Sequence, residues 1–311
     1  MKIVFMGTPE FAVPSLEMLI REGYEVIAVV TQPDKPKGRG NKMSAPPVKE
    51  FAVEHGITVL QPEKIKTPEF AAQIRELGPD LMITAAYGKI ISKELLDVPT
   101  LGCINVHGSL LPAYRGAAPI HWSIINGEKV TGVTTMFTDV GLDTGDMLLK
   151  RELEIGPDTT VGELHDKMAV LGAEVLKDTL IELKNGTLTR KPQDDAISTY
   201  APIISKEVGL IDWNKSAQQI HNLVRGTNPW PGAFTFMDES KMRIWKTSIA
   251  SCSKDKHCAG EIVSVNEEGI LVQCADGYIL IQELQFDSSK RMKVSDYIRG
   301  HKINTGEKLG N

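Results

Sequence analysis

The stretch Lys2-Ile3-Val4-Phe5-Met6-Gly7-Thr8-Pro9-Glu10-Phe11-Ala12-Val13-Pro14-Ser15-Leu16-Glu17-Met18-Leu19-Ile20 decides the fold. It opens on a short apolar run closed by Gly7, and Pro14 then stands near the start of an amphipathic segment through Leu16, Leu19 and Ile20. That order reads as strand, turn, helix. A second apolar run, Tyr24–Val30, comes next, and further runs at Leu81–Ala86 and Cys103–Val106 alternate with helical patterns such as Glu69–Leu77. Strands alternating with helices predict a parallel α/β sheet covered on both faces. Ligands of such sheets sit beyond the carboxyl ends of the strands.

Working outward, Thr159–Leu183 keeps apolar residues at Val161, Leu164, Met168, Leu171, Val175 and Leu176, a helical spacing that closes the first domain. Lys184–Glu207 holds Asn185-Gly186, Lys191-Pro192 and Ala201-Pro202 without sustained periodicity, which suits a surface linker and places the boundary near 205. From Lys241 onward, short β-type runs (Met242–Trp245, Glu261–Val265, Ile270–Cys274, Tyr278–Leu284) are separated by turn pairs such as Asp276-Gly277. The second domain is therefore expected to be a small β-barrel or sandwich. A length of 311 residues accommodates two domains of roughly 150 each.

The composition, 41% hydrophobic and 24% charged with 27 Gly and 17 Pro, excludes a disordered or collagen-like chain. No run approaches the roughly 18 apolar residues of a membrane span, and only four residues separate Lys2 from Gly7, so a cytoplasmic protein is expected. The net charge of −5 argues against bulk binding to polyanions, but it is unevenly distributed. Residues 1–200 carry 21 basic and 27 acidic side chains, whereas 201–311 carry 14 and 13. Cys103, Cys252, Cys258 and Cys274 are too few and too scattered for a disulfide framework, and are read as reduced thiols. Cys252, His257 and Cys258 lack paired zinc-ligand spacing, so no metal is expected.

After the first strand, Gly7-Thr8-Pro9-Glu10-Phe11 stands where a dinucleotide-binding sheet carries its glycine fingerprint, but position 9 is proline and the further glycines are missing. This disfavours NAD or FAD. A stronger constellation is Gly102-Cys103-Ile104-Asn105-Val106-His107-Gly108-Ser109-Leu110-Leu111-Pro112. Period-two alternation puts Asn105 and His107 on one side, with Val106 opposite, where the strand runs out into a loop. An amide donor and an imidazole placed there can meet a developing oxyanion and move a proton, as acyl transfer to an amine requires. Downstream, Val140-Gly141-Leu142-Asp143-Thr144-Gly145-Asp146 is a glycine-containing loop able to return a carboxylate to the imidazole. Singly, such residues also serve as structural hydrogen bonders and turn formers. Cys103 shares the face of Asn105 by parity, which leaves a thiol route formally open, though no partner base is in view.

Asn105-Val106-His107, the Ser109–Pro112 segment and Asp143 in its Gly-Leu-Asp-Thr-Gly loop together resemble the site of the folate-dependent formyltransferases. The likeness extends to Phe5–Phe11, to Asp34–Gly40, to Tyr114-Arg115-Gly116-Ala117-Ala118-Pro119-Ile120 and to Asn228-Pro229-Trp230-Pro231-Gly232-Ala233. It implies a Rossmann-like parallel-sheet formyltransferase domain over 1–204, with a linker about 185–206, and a C-terminal β-barrel (OB-like) tRNA-binding domain over 205–311. It also implies transfer of the formyl group of 10-formyltetrahydrofolate to the α-amine of methionine on initiator tRNA, for translation initiation. The implied catalytic residues are Asn105, His107 and Asp143. The folate is expected along Ser109, Leu110, Leu111 and Pro112 and near Tyr87 and Gly88. A monomer is expected.

A large anionic substrate needs a basic surface on an acidic domain. In Pro33–Lys49, the side chains Lys35, Lys37, Arg39, Lys42 and Lys49 oppose only Asp34. The resemblance makes Arg39 the leading contact to the acceptor stem, supported by Lys35, Lys37 and Lys42. Lys206, Lys241, Arg243, Lys246, Lys254 and Lys256 offer a second backbone-tracking surface. Two alternatives stay open: a formyltransferase acting on another amine, such as glycinamide ribonucleotide or an amino-sugar nucleotide, and a non-catalytic folate- or RNA-binding protein.

Overall fold

Ile3, Val4, Phe5 and Met6 are fully buried on both sides of the chain, as a strand sandwiched between two layers of helix must be. The computed structural model describes residues 1–37, 42–251, 257–287 and 289–310. In it, β1 (Lys2–Gly7), β2 (Glu25–Val30), β3 (Val59–Leu60), β4 (Leu81–Ala85), β5 (Cys103–His107), β6 (Val130–Phe137) and β7 (Met147–Glu154) form one sheet in the order β7-β6-β5-β4-β1-β2-β3. The strands from β3 to β5 in that order are mutually parallel, through the pairs β2–β3, β1–β2, β1–β4 and β4–β5. The order reverses direction at β1, which opens a crevice at the carboxyl ends of β1 and β4.

Two strands depart from the parallel reading. β6 pairs antiparallel with β5, and β7 antiparallel with β6. The segment between β6 and β7 has no helix and is too short for the crossover that a parallel pair requires, so the chain can only fold back as a hairpin. The outer strand β7 is mostly solvent-facing along its middle, so it carries no apolar run.

The helices α1 (Val13–Arg21), α2 (Pro47–Glu54), α3 (Pro68–Leu77) and α4 (Val161–Asn185) have local causes. Proline occupies the first turn of α1, α2 and α3, where its missing N–H costs nothing. Thr67 caps α3 by accepting from Phe70 N–H, and Gly78 ends it in the left-handed region. Thr160 and Glu163 exchange hydrogen bonds at the start of α4. Gly7 closes β1 because no side chain fits: an added Cβ would lie 2.7 Å from Ala12 Cβ and 3.1 Å from the Ala85 carbonyl. Among the described residues, no helix is long and apolar enough to cross a membrane.

Internal packing divides the chain into two units, residues 1–119, 130–154 and 165–202 in the first, and residues 120–129, 155–164 and 203–311 in the second. The second unit is built on an antiparallel, barrel-like sheet of β8 (Ala233–Met237), β9 (Ser240–Ala250), β10 (Ile262–Asn266), β11 (Gly269–Gln273) and β12 (Tyr278–Phe286), in the order β8-β9-β12-β11-β10. Cross-strand pairs Ile270–Ile281 and Val272–Ile279 put apolar side chains on its inner face. Ile220 and Val224 of α5 (Ala217–Gly226) complete that core. Asp238 and Glu239, both left-handed, make the two-residue turn between β8 and β9.

The polar face of α5 holds residues 155–164 within the same unit. Buried Arg225 donates from Nη1 to the carbonyls of Gly156 and Thr159, each at 3.2 Å. Buried His221 donates from Nε2 to the Pro157 carbonyl at 3.2 Å and accepts at Nδ1 from Thr247 Oγ1 at 3.0 Å. Burial pushes the His221 imidazole below its ordinary range, with a smaller push from Arg225, and this outweighs the opposing pull of the Pro157 carbonyl and Asp158.

A histidine held low stays neutral in the folded chain while the unfolded chain takes up a proton. The unfolded state then binds more protons, and stability is lost as pH falls below about 6.5. The thermal midpoint is expected to drop between about pH 7.5 and pH 5.5, and His221→Gln is expected to flatten that dependence. Identical pH slopes for the two proteins, measured by calorimetry, would remove His221 as a cause.

Candidate active site

β5 delivers two polar side chains to the carboxyl edge of the sheet. Val106 turns toward α4, where an added Cβ on Gly172 would lie 3.0 Å from Val106 Cγ1. Asn105 and His107 therefore share the opposite side, as strand alternation requires. Cys103 lies on that side too, packed in a cluster with Val4, Met6, Met82 and Leu95. Burial pushes its thiol up to about 12, so it stays protonated and cannot serve as a nucleophile near neutrality.

Asn105 is half-buried and sits in register with Thr84 of β4. Thr84 Oγ1 donates to Asn105 Oδ1 at 2.8 Å. That bond occupies the carboxamide oxygen and leaves the Nδ2 hydrogens for the site, and among the described residues Nδ2 has no protein acceptor. Sequence reading missed Thr84 as a functional partner because its link to Asn105 runs across two strands.

His107 is buried, with its Nε2 2.9 Å from the Tyr114 carbonyl. A carbonyl only accepts, so Nε2 carries the hydrogen and Nδ1 is the nitrogen turned toward Asp143. Asp143 Oδ2 lies 3.7 Å from Nδ1, within charge-pair distance but beyond a direct hydrogen bond. The same Oδ2 accepts from Gly116 N–H at 2.8 Å. The loop that carries Asp143 turns on Asp139, whose Oδ1 accepts from Gly141 N–H at 2.9 Å and Thr144 Oγ1 at 2.7 Å. Gly145 ends the turn where the chain passes so close to β6 that an added Cβ would lie 1.8 Å from the Phe137 carbonyl.

Three non-glycine residues at this edge adopt left-handed backbone: Ala86 with φ 46°, Tyr114 with φ 59° and Asp143 with φ 54°. Such conformations cost energy and persist where the surroundings over-determine them. Here two of them aim a carbonyl and a carboxylate at the same imidazole.

The expected folate segment is pinned from below. Thr134 Oγ1 donates to the Ser109 carbonyl at 2.7 Å and accepts from Leu111 N–H at 3.1 Å, and Lys150 Nζ donates to the Leu111 carbonyl. Ser109 and Leu111 are buried, Ser109 Oγ donating to the Ala113 carbonyl at 2.6 Å, while Leu110 and Pro112 are partly exposed. Tyr87 is 4% exposed and its ring belongs to the core, and its carbonyl accepts from Thr8 Oγ1 and Gln32 Nε2. Gly88 is exposed with open space around it.

The basic segment after β2 is a two-stranded ribbon in which Lys35–Lys37 pairs with Lys42–Ser44. Lys49 is tied to Asp34 at 2.8 Å and to Gln61 at 2.7 Å, so the Lys49 and Asp34 charges cancel each other. Lys35 is exposed, and Arg39 lies outside the described residues. Of the Cys252, His257 and Cys258 group, His257 Nδ1 pairs with Glu261 Oε1 at 2.9 Å, and Cys252 lies outside the described residues.

Comparison with known proteins bears on the family. The family profile described as formyl transferase matches residues 1–180, and that described as formyl transferase, C-terminal domain, matches 203–302. A relative from Ruminiclostridium cellulolyticum, named methionyl-tRNA formyltransferase, is 83% identical over 311 residues, 100% of both chains. One of the same name from Acetivibrio thermocellus is 63% identical over 310 residues, again 100% of both. Among solved structures, an N-formyltransferase from Helicobacter canadensis, determined with folinic acid and dTDP-3-aminofucose, superposes with a TM-score of 0.69 at 20% identity. That match covers 90% of this chain and 98% of the other, and establishes likeness of fold.

Gly145→Ala tests the loop path directly. Forcing a methyl against the Phe137 carbonyl is expected to destabilise the protein by about 1–3 kcal/mol. The urea midpoint should fall at constant m-value. An unchanged midpoint would mean that the Asp143 loop runs elsewhere.

Proposed function

The chain belongs to the formyl transferase family, and from that membership we propose that it moves the formyl group of 10-formyltetrahydrofolate onto the α-amine of methionine esterified to initiator tRNA. The amine is assigned by the full-length likeness to relatives of that name. The chemistry rests on one geometric observation: Thr84 engages the oxygen of Asn105 and so leaves its amide hydrogens to donate, on the strand end that also carries His107 3.7 Å from Asp143.

The residues at the edge fit a folate. Asn105 Nδ2 is a donor without an acceptor among the described residues, Gly88 offers backbone with open space beside it, and Leu110 and Pro112 present part of their surface. The folate, when bound, supplies the formyl carbon. In this reading Tyr87 contributes main chain only, since its side chain is committed to the core, and Ser109 and Leu111 act through their backbone.

The attacking amine must be neutral. A free α-amine titrates at about 7.7–8.0 and esterification removes the neighbouring carboxylate charge, so a useful fraction is already unprotonated near pH 7. Asn105 Nδ2 then donates to the formyl oxygen as negative charge grows on it, an interaction made most strongly in the transition state. His107 holds the proton that the amine releases and returns it to the nitrogen from which the formyl group departs. The Asp143 carboxylate stands 3.7 Å from Nδ1, while the bond from Nε2 to the Tyr114 carbonyl fixes which ring nitrogen faces it.

Residues 1–204 carry this chemistry, and residues 205–311 together with the Lys35–Ser44 ribbon hold the RNA. Arg39, Lys35, Lys37 and Lys42 follow the second strand in the sequence, and a basic segment after a strand of this sheet suits contact with an acceptor stem. Such contacts to phosphate position a nucleic acid and carry most of its salt dependence.

The purified protein, supplied with 10-formyltetrahydrofolate and methionyl initiator tRNA, methionyl elongator tRNA or glycinamide ribonucleotide, is expected to formylate the initiator. Transfer to the ribonucleotide alone would overturn the assignment. In that assay Asn105→Ala should cut kcat by about 10²–10³-fold. Thr84→Val, which keeps the volume and deletes only the hydroxyl, should cost about tenfold. Arg39→Ala should raise the KM for tRNA and reduce the slope of log affinity against log salt by about 1. An unaltered slope would show that Arg39 makes no phosphate contact.

A further inference from the structure

Gln193 lies in the stretch that reads as a linker, flanked by exposed Lys191, Pro192, Asp194 and Asp195, yet it is itself half-buried. A backbone bridge between Lys191 and Met147, 2.9 Å in both directions, lays this segment against the start of β7. Two residues further on, Gln193 Nε2 donates to the carbonyls of Asp143 and Gly145, both at 2.8 Å. Both amide hydrogens are thereby spent on the loop that carries the carboxylate facing His107. Gln193 Oε1 accepts from Arg115 Nε at 3.0 Å, and Arg115 Nη2 donates to Asp195 at 2.7 Å.

Arg115 stands between the two residues that orient the site from the other side. The Tyr114 carbonyl holds His107, and Gly116 N–H holds the Asp143 carboxylate. Residues 114–116 thus touch the imidazole, the loop carboxylate and, through the Arg115 side chain, the glutamine that clamps the loop backbone. The left-handed conformation of Asp143 is uncommon for a residue with a Cβ, and beside the bonds from Asp139 within the loop its backbone is also held from outside. The side chain of Gln193 is the group that does so from the linker.

We propose that Gln193 is a positioning residue for formyl transfer, holding the backbone of Asp143 so that its carboxylate faces His107 Nδ1. This rests on the reaction proposed above. At 3.7 Å the His107–Asp143 pair is not locked by a direct hydrogen bond, so its geometry depends on what holds each partner. Loss of the clamp lets the loop backbone turn to water, and small displacements of a catalytic group are costly.

The test is steady-state formylation of methionyl initiator tRNA by Gln193→Ala, Gln193→Glu, Asp143→Asn and the double variant Gln193→Ala/Asp143→Asn. Gln193→Glu keeps the length and the contact with Arg115, but its carboxylate cannot donate to two carbonyls. Both single Gln193 variants are expected to lose about 10- to 100-fold in kcat, with KM for either substrate within about threefold and the thermal midpoint within about 2 °C. In the Asp143→Asn background, Gln193→Ala should add less than about threefold, because both act through one group.

Wild-type kcat in Gln193→Glu, or losses that multiply in the double variant, would overturn the positioning role and leave the proposed reaction standing. Wild-type kcat in Asp143→Asn would overturn the part given to that carboxylate and the positioning role with it, and no transfer to methionyl-tRNA by the unaltered protein would overturn the reaction itself.

Discussion

The central strands of the first unit are sealed between layers of side chains, and a polar group can be satisfied there only where a strand ends. β1 and β4 are buried along nearly their whole length, and the polar side chains that matter, Thr84, Asn105 and His107, appear only as β4 and β5 approach the carboxyl edge. This constraint shapes the whole site. It puts the reactive groups of two neighbouring strands within hydrogen-bond reach, and it leaves the loops beyond them to supply charge. The same sealing raises the Cys103 thiol until it is inert, so neighbours on one face of one strand have opposite fates according to depth.

At that edge, orientation is achieved by spending the unwanted half of each functional group. The oxygen of Asn105 is occupied so that its nitrogen is available, and Nε2 of His107 is occupied so that Nδ1 is available, while the Asp143 oxygen that faces His107 is itself anchored on Gly116. Each anchor is a backbone group or a side chain on a rigid element, which is how a site is preorganised before a ligand arrives. Left-handed backbone at Tyr114 and Asp143 is the conformational cost of that aim.

Much of this was legible in the order of residues. Alternation of apolar runs with helical spacing marked β1, β2, β4 and β5, Pro14 marked the start of α1, and the period of two placed Asn105 and His107 together. The missing glycines after Gly7 pointed away from a dinucleotide motif, and the turn there has a steric origin in Ala12 and Ala85. The antiparallel strands β6 and β7 were not legible, because β7 lies at the sheet edge with much of its length toward solvent and so lacks an apolar signature. Charge counting exposed the basic segment at 33–49, but it could not tell that Lys49 and Asp34 neutralise each other. The side chains of Tyr87 and Ser109 are turned into the protein, which leaves their backbone for the ligand contacts expected of these loops.

By itself the sequence determined the layered α/β plan, the strand that carries the amide and the imidazole, and the shift from an acidic first part to a near-neutral second one. These are local properties: a period of two or of 3.6, a proline or glycine at a turn, and a running sum of charge are all written in neighbouring residues. Only the tertiary structure decided that Thr84 sets the face of Asn105, that Asp143 is the acid opposite His107, and that Gln193 reaches back from the linker to the loop of that acid. Those pairings join residues 21, 36 and 50 positions apart. No periodicity encodes such separations, which arise from the strands that adjoin and from where the chain crosses its own path.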